Sequence, residues 1–375
     1  MTPVDAELSR YFSDTYDEGR RKFLNACEHH GLIVESYLHS TQKGPFGETL
    51  SMDVAWCGPQ DAEKVLVFSC GTHGLEAAPG AATILRWLDL DGPEQLPEGI
   101  AVLLIHAINP YGWAWAHRIN EGGIDLNRNF PDRTKPLPSN PHYADVHKLL
   151  LTTSMNDEGL SDFAQGFQSL TSSIGMNAAL TGITSGQFDF PDGLSFGGAD
   201  LSWSGKTLFV IVQKHLRLAK RILHIDWHTG IGKYGQAHFI LDEPKTSETF
   251  SLLSEWWPND AIHCDDVVDG VSIFYNGLLL EGLRAEIQKY SPAKIVNLTI
   301  EWGTYDVAKM LQALVMDNWL MHRTENADRT LIDAVRAELV ERFYPKSTEW
   351  RHSVIYTSDA IYTRAVAGID SWGSN

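Results

Sequence analysis

Short, almost uninterrupted apolar runs recur at 65–70, 101–107, 222–227 and 295–300, each closed by polar residues. Runs of this length with so little polarity fit strands covered on both faces of a sheet. Between them the apolar period becomes that of amphipathic helices, at 77–90, 206–220 and 307–322. This alternation is the rhythm of an α/β fold, and it predicts a mixed, largely parallel central sheet flanked by helices on both faces. Alternating residues at 33–38 and 50–56, joined by a turn at Lys43-Gly44-Pro45, predict two strands ahead of the first buried one. A helix is expected over 5–31, with Tyr11, Phe12, Phe23, Leu24 and Cys27 apolar and Gly31 as its stop. Further helices are expected over 143–155, 161–174, 247–257 and 330–343, a strand over 237–241, and a loop over 131–140. The tail beyond 343 reads as less regular.

The stretch from Gly182 to Gly205 is dense in glycine and serine, with Phe188, Phe190, Phe196 and Trp203 among them. A loop that long inside a compact domain serves as a lid or an insertion. No repeat or composition break marks a boundary. The expectation is a single catalytic domain over 1–375, with a core at about 12–322, an insertion at about 182–205 and a C-terminal extension at about 323–375.

Composition narrows the partners. The chain of 375 residues carries 48 acidic and 30 basic side chains, a net charge of -18, which disfavours nucleic acid as a partner. With 43% hydrophobic residues it has enough apolar material for a packed core. The first residues hold Asp5, Glu7, Asp14 and Asp17 and lack the basic and apolar regions of a secretory signal, and no apolar run is long enough to span a membrane. Cys27, Cys57, Cys70 and Cys264 are dispersed, which argues against a thiolate metal site or a disulfide scaffold. The expected compartment is the cytoplasm.

Polar residues that follow buried strands are the candidates for chemistry, because ligands of open α/β sheets bind beyond the carboxyl ends of the strands. His73 and Glu76, His228, and Glu301 stand there. His-x-x-acid pairs arise by chance about twice in a chain of this composition, so His73 and Glu76 gain weight only from their position. A loop entering a helix can aim both at one point, and His228 would add a third donor, leaving the fourth position of a zinc ion open for water. His224 and Asp226 share a strand face with His228 and compete with it; the order along the strand favours His228 as ligand, with Asp226 orienting it and His224 in an ordinary structural role. Arginines are most often surface charges or structural ion pairs. Asn127-Arg128-Asn129 nevertheless offers donors suited to a carboxylate, and Arg118 could face an oxygen that gains charge.

The ordered set His73-x-x-Glu76, Asn109-Pro110-Tyr111-Gly112, Arg118, Asp125-Leu126-Asn127-Arg128-Asn129-Phe130, His228 and Glu301 resembles the zinc metallocarboxypeptidases of the carboxypeptidase A type, and in particular a bacterial carboxypeptidase-like branch formerly of unknown function. The resemblance covers roughly 12–322. It implies one Zn2+ held by His73, Glu76 and His228, a metal-activated water, and Glu301 as general base. It further implies that Arg118 polarises the scissile carbonyl and that Asn127 and Arg128 hold the substrate carboxylate. Tyr275 is the candidate for a substrate-contacting tyrosine, with Tyr290 behind it. The implied activity is cleavage of an amide bond next to a carboxylate-bearing residue, in a peptide. A second reading, leaning on Pro79, Gly80 and Asp226-Trp227-His228-Thr229, is a deacylase of small N-acyl amino acids, similar to aspartoacylase and succinylglutamate desuccinylase. A third, further behind, is a zinc-binding protein without catalysis.

Overall fold

A computed structural model describes residues 7–258, 261–264, 267–268, 271–272 and 275–373. Its first long helix, α1 (Tyr16–His29), leads into strands β1 (Val34–Lys43), β2 (Thr49–Cys57) and β3 (Lys64–Cys70). Helix α2 (Ala77–Asp89), β4 (Ile100–His106) and the short α3 (Pro110–Trp115) follow. Three helices, α4 (Tyr143–Thr152), α5 (Asp157–Ile174) and α6 (Met176–Thr184), precede α7 (Trp203–His215) and β5 (Arg221–Gly230). Then come β6 (Ala237–Leu241), α8 (Glu248–Trp256), β7 (Ile262–Cys264) and a small ribbon of β8 (Val267–Val268) and β9 (Val271–Ser272). The chain finishes with α9 (Leu279–Gln288), β10 (Lys294–Gly303), α10 (Val307–His322), α11 (Arg329–Phe343) and α12 (Thr348–Ser371).

The main sheet has eight strands in the order β1-β2-β4-β3-β5-β10-β6-β7. Its middle four, β4, β3, β5 and β10, are mutually parallel, while β2 and β6 join antiparallel on either side. The sheet is therefore mixed, with a parallel centre, as the continuous apolar runs predict. Side chains alternate between two cores. Leu66, Phe68 and Cys70 pack with α1, α2, α8 and α12; Val65 and Val67 pack with α7 and α9. A third apolar cluster joins α4–α6 to α10 and α11 beside the carboxyl ends of the central strands.

The structure corrects three expectations. The N-terminal helix does not run unbroken: a helical turn ends at Leu8, and Thr15 starts the next helix, its hydroxyl accepting from the Glu18 N–H as the cap of α1. The expected start at residue 5 lies outside the described residues. The tail is not irregular, since α12 runs for 24 residues and buries Trp350, Val354, Ile355, Ile361, Tyr362, Ala365 and Ile369 against α2 and the sheet. β5 and β10 also continue past the ends expected at 227 and 300, pairing in register through Gly230 and Gly303, so His228 and Glu301 stand side by side within the ladder. No helix among the described residues is long and apolar enough to cross a membrane.

Candidate metal centre

β3 ends at Cys70, and the chain leaves it through Gly71, whose φ of +76° is open to glycine and strained for other residues. One tight turn over Gly74–Glu76 then delivers His73 and Glu76 ahead of α2. A Cβ on Gly74 would lie 2.1 Å from the Gly112 carbonyl carbon and 2.3 Å from the Trp113 nitrogen, so only glycine admits this approach of α3. The Arg118 carbonyl ties the two segments, accepting from the Gly74 N–H at 3.1 Å and from Asn109 Nδ2 at 3.3 Å.

His73, Glu76 and His228 are all buried, and their facing atoms lie within 4.8 Å of one another. His73 Nδ1 is 3.0 Å from Glu76 Oε1, and His228 Nδ1 is 3.0 Å from Glu76 Oε2. Each outer nitrogen meets a carboxylate: His73 Nε2 meets Asp125 Oδ1 at 3.0 Å, and His228 Nε2 meets Asp226 Oδ2 at 2.6 Å. A proton on each Nε2 satisfies these bonds and turns both Nδ1 lone pairs inward. His73 Nδ1 is buried without a hydrogen-bond partner, which suits a metal ligand. The electrostatics agree. Burial works against a charged His228, yet Asp226 and Glu76 hold its pKa well above the ordinary value, so the cradle calls for positive charge. Two imidazoles and one carboxylate, with room for a fourth ligand, are the donor set of a catalytic zinc ion.

Asp226 is fixed by the Ser69 hydroxyl at 2.6 Å and the Thr72 hydroxyl at 2.7 Å, while His224 bonds Ser69 instead of turning inward. Asp125 pairs with Arg118 Nη1 and accepts from the Asn127 N–H, and Arg118 Nε is 3.9 Å from Glu76 Oε1. Glu301 is buried beside His228 and accepts from the Ile231 N–H at 3.3 Å. Burial, and then the neighbouring Glu76, push its pKa up to about 7.

A cleft of about 1080 Å³ opens over these groups, lined by Arg118, Arg128, Tyr275 and Glu301 together with His73 and Glu76. Arg128 donates from Nε to the Thr184 carbonyl and rests on the Tyr275 ring, 4.5 Å from its centroid. Asn127 Oδ1 accepts from the Leu279 N–H, which directs its amide nitrogen elsewhere. A side pocket of about 100 Å³ adjoins Asn127, Arg128 and Glu301. Of the residues singled out in the sequence, the fold thus places His73, Glu76, Arg118, Arg128, Tyr275 and Glu301 on the wall of the cleft, Asn127 on the adjoining side pocket, and His228 buried against Glu76. The Tyr290 hydroxyl is buried without a hydrogen-bond partner, and its ring packs instead among the core side chains of α7 and α9. Asp125 carried no role in the sequence reading, although it opens the motif that holds Asn127 and Arg128. Asp317, buried on α10, was also missed; it bonds His117 Nδ1 at 2.7 Å and the Arg118 N–H at 3.1 Å.

Comparison with known proteins gives one family match, to a model described as a protein of unknown function (DUF2817), over residues 12–357. No curated protein matches the chain. Among solved structures, carboxypeptidase A from Helicoverpa armigera is 12% identical, covering 89% of this chain and 74% of its own, with a TM-score of 0.46. Bovine thrombin-activatable fibrinolysis inhibitor is 12% identical, with 93% and 99% coverage and a TM-score of 0.44. Murein-tripeptide amidase MpaA from Escherichia coli O157 is 14% identical, with 84% and 93% coverage and a TM-score of 0.36.

Proposed function

The chain belongs to the DUF2817 family, and from that premise and the geometry of the cleft we propose that it is a zinc-dependent amide hydrolase, a metallocarboxypeptidase acting on peptides with a free terminal carboxylate. One observation carries the reading: two histidines turn their Nδ1 atoms onto one carboxylate, with a second, separate carboxylate in register on the next strand. His73, Glu76 and His228 would hold Zn2+, which when bound supplies a polarised carbonyl and a water of much lowered pKa.

Glu301 provides the base. With a pKa near 7 it takes a proton from the attacking water and returns it to the leaving nitrogen. Arg118, tethered by Asp125, faces the oxygen that gains charge. Asn127 and Arg128 receive the terminal carboxylate, and the Tyr275 ring keeps the Arg128 guanidinium against the cleft wall. A deacylase of N-acyl amino acids would use the same groups. The cleft, at about 1080 Å³, lies just above the roughly 300–1,000 Å³ typical of small-molecule sites and so has room for a peptide.

Glu301→Gln is expected to retain one zinc per chain by elemental analysis while release of C-terminal residues from a peptide library drops by about 10²–10⁴-fold. His73→Ala and His228→Ala are expected to lose the zinc. Full turnover in Glu301→Gln would overturn the proposal, and bound zinc with no hydrolysis of either peptides or N-acyl amino acids would favour a non-catalytic zinc protein.

A further inference from the structure

His228, Glu301 and His238 occupy one register across β5, β10 and β6, so their side chains share a face of the sheet. The proton transfer assigned to Glu301 makes no use of His238. His238 and His263, the latter on β7, both line the cleft, and their rings stack with centroids 3.7 Å apart and planes 20° from parallel. Among the described residues neither imidazole has a hydrogen-bond partner. A half-buried polar ring at the wall of a cleft, stacked on a second ring and with no bond to the protein, is open to a hydrogen-bonding group that enters the cleft.

The chemistry of that entrant follows from the ring. Burial, and then His263, bring the His238 pKa down to about 4, so at neutral pH the ring has one N–H donor and one bare acceptor nitrogen. An amide also presents one donor and one acceptor, whereas a carboxylate only accepts. The side pocket beyond Arg128, lined by Asn127, Leu278, Glu281 and Asn297, does not include either histidine. Arg128 borders both spaces whereas the histidines border only the cleft, so a leaving residue whose carboxylate is held by Arg128 and whose side chain enters the side pocket leaves the acyl half of the substrate in the cleft with His238.

We propose that His238 is a substrate-binding residue that hydrogen-bonds a second amide on the acyl side of the scissile bond, its ring held by His263, so that the cleft prefers peptides to N-acyl amino acids. The inference rests on the hydrolase reading for the orientation of the substrate, and binding measurements separate the two. The background is zinc-loaded Glu301→Gln protein, and the probes are N-acetyldialanine, which has the second amide, and N-acetylalanine, which lacks it. Adding His238→Ala is expected to weaken the longer probe about five- to tenfold more than the shorter one by calorimetry, the factor for one neutral hydrogen bond. His238→Gln, which restores a donor and an acceptor, is expected to recover part of the difference, and His263→Ala to lose part of it. Equal weakening of both probes, or none, overturns the role of His238. Failure of the wild-type protein to cleave either probe, with the affinity difference intact, removes the hydrolase reading and leaves the amide contact standing.

Discussion

Each inward-facing imidazole is gripped from behind by a carboxylate, and the two grips are built differently. Asp226 accepts from Ser69, Thr72 and His228 and touches no arginine, so its task is confined to holding one ring. Asp125 divides itself between His73, Arg118 and the Asn127 N–H. Asp226→Ala is therefore expected to weaken zinc binding by about 10–100-fold in competition with a chelator. Asp125→Ala is expected to weaken zinc to a similar degree and also to lower kcat in zinc-saturated protein, because Arg118 loses its tether. The strand-end argument reaches His73, Glu76, His228 and Glu301 from the sequence because apolar runs mark where a parallel sheet opens. It cannot reach Asp125 or Asp317 with a role attached: the histidine partner of the first is 52 residues away and that of the second 200, and acidic residues are common in this chain.

Among the elements, those with continuous apolar runs or a clean helical period were legible: β3 and β4 lie where the sequence puts them, β5 and β10 begin there and run three residues further, and α10 matches its expected span. The elements missed are those whose stability comes from partners. β7 has three residues and exists because β6 pairs with it; α6 follows α5 after a single glycine, Gly175, at a φ of +90°. α12 mixes Thr, Val, Ile and Tyr, which are poor helix formers, and holds its form through burial. Cap chemistry also shifted boundaries, with Ser202 starting α7 three residues before the expected position. The turn between β3 and α2 gives a sharp test at this scale. Gly74→Ala forces a Cβ into the backbone of Gly112 and Trp113, and is expected to cost about 1–3 kcal/mol in denaturant titration and to lower zinc affinity by shifting His73.

For the molecule as a whole, the charge of -18 is a poor guide to the site, where Arg118 and Arg128 face the cleft and buried carboxylates surround a place for a cation. Buried titratable groups give the fold its own pH dependence. His106 on β4 is fully buried, stacks on Phe23 at 4.6 Å and leaves both ring nitrogens without partners. Burial lowers its pKa to about 4, with Asp53 opposing, while an unfolded histidine titrates near 6.5. The unfolded chain thus binds this proton first as pH falls, so the stabilisation is complete above about 6.5 and is lost towards 4, by at most about 3 kcal/mol. Urea titrations between these limits are expected to show that slope, and His106→Phe to flatten it.

Helix α12 covers α2 and the face of β3 and β5 whose ends carry His73, Glu76 and His228. It is also made after every strand of the sheet. A ribosome feeding out this chain therefore exposes the completed sequence of the metal cradle before the layer that supports it, and the cradle becomes firm only once α12 has docked. On this account a chain cut short before residue 348 is expected to leave bare the apolar face that α12 covers, and to hold a metal at His73, Glu76 and His228 less tightly than the full chain.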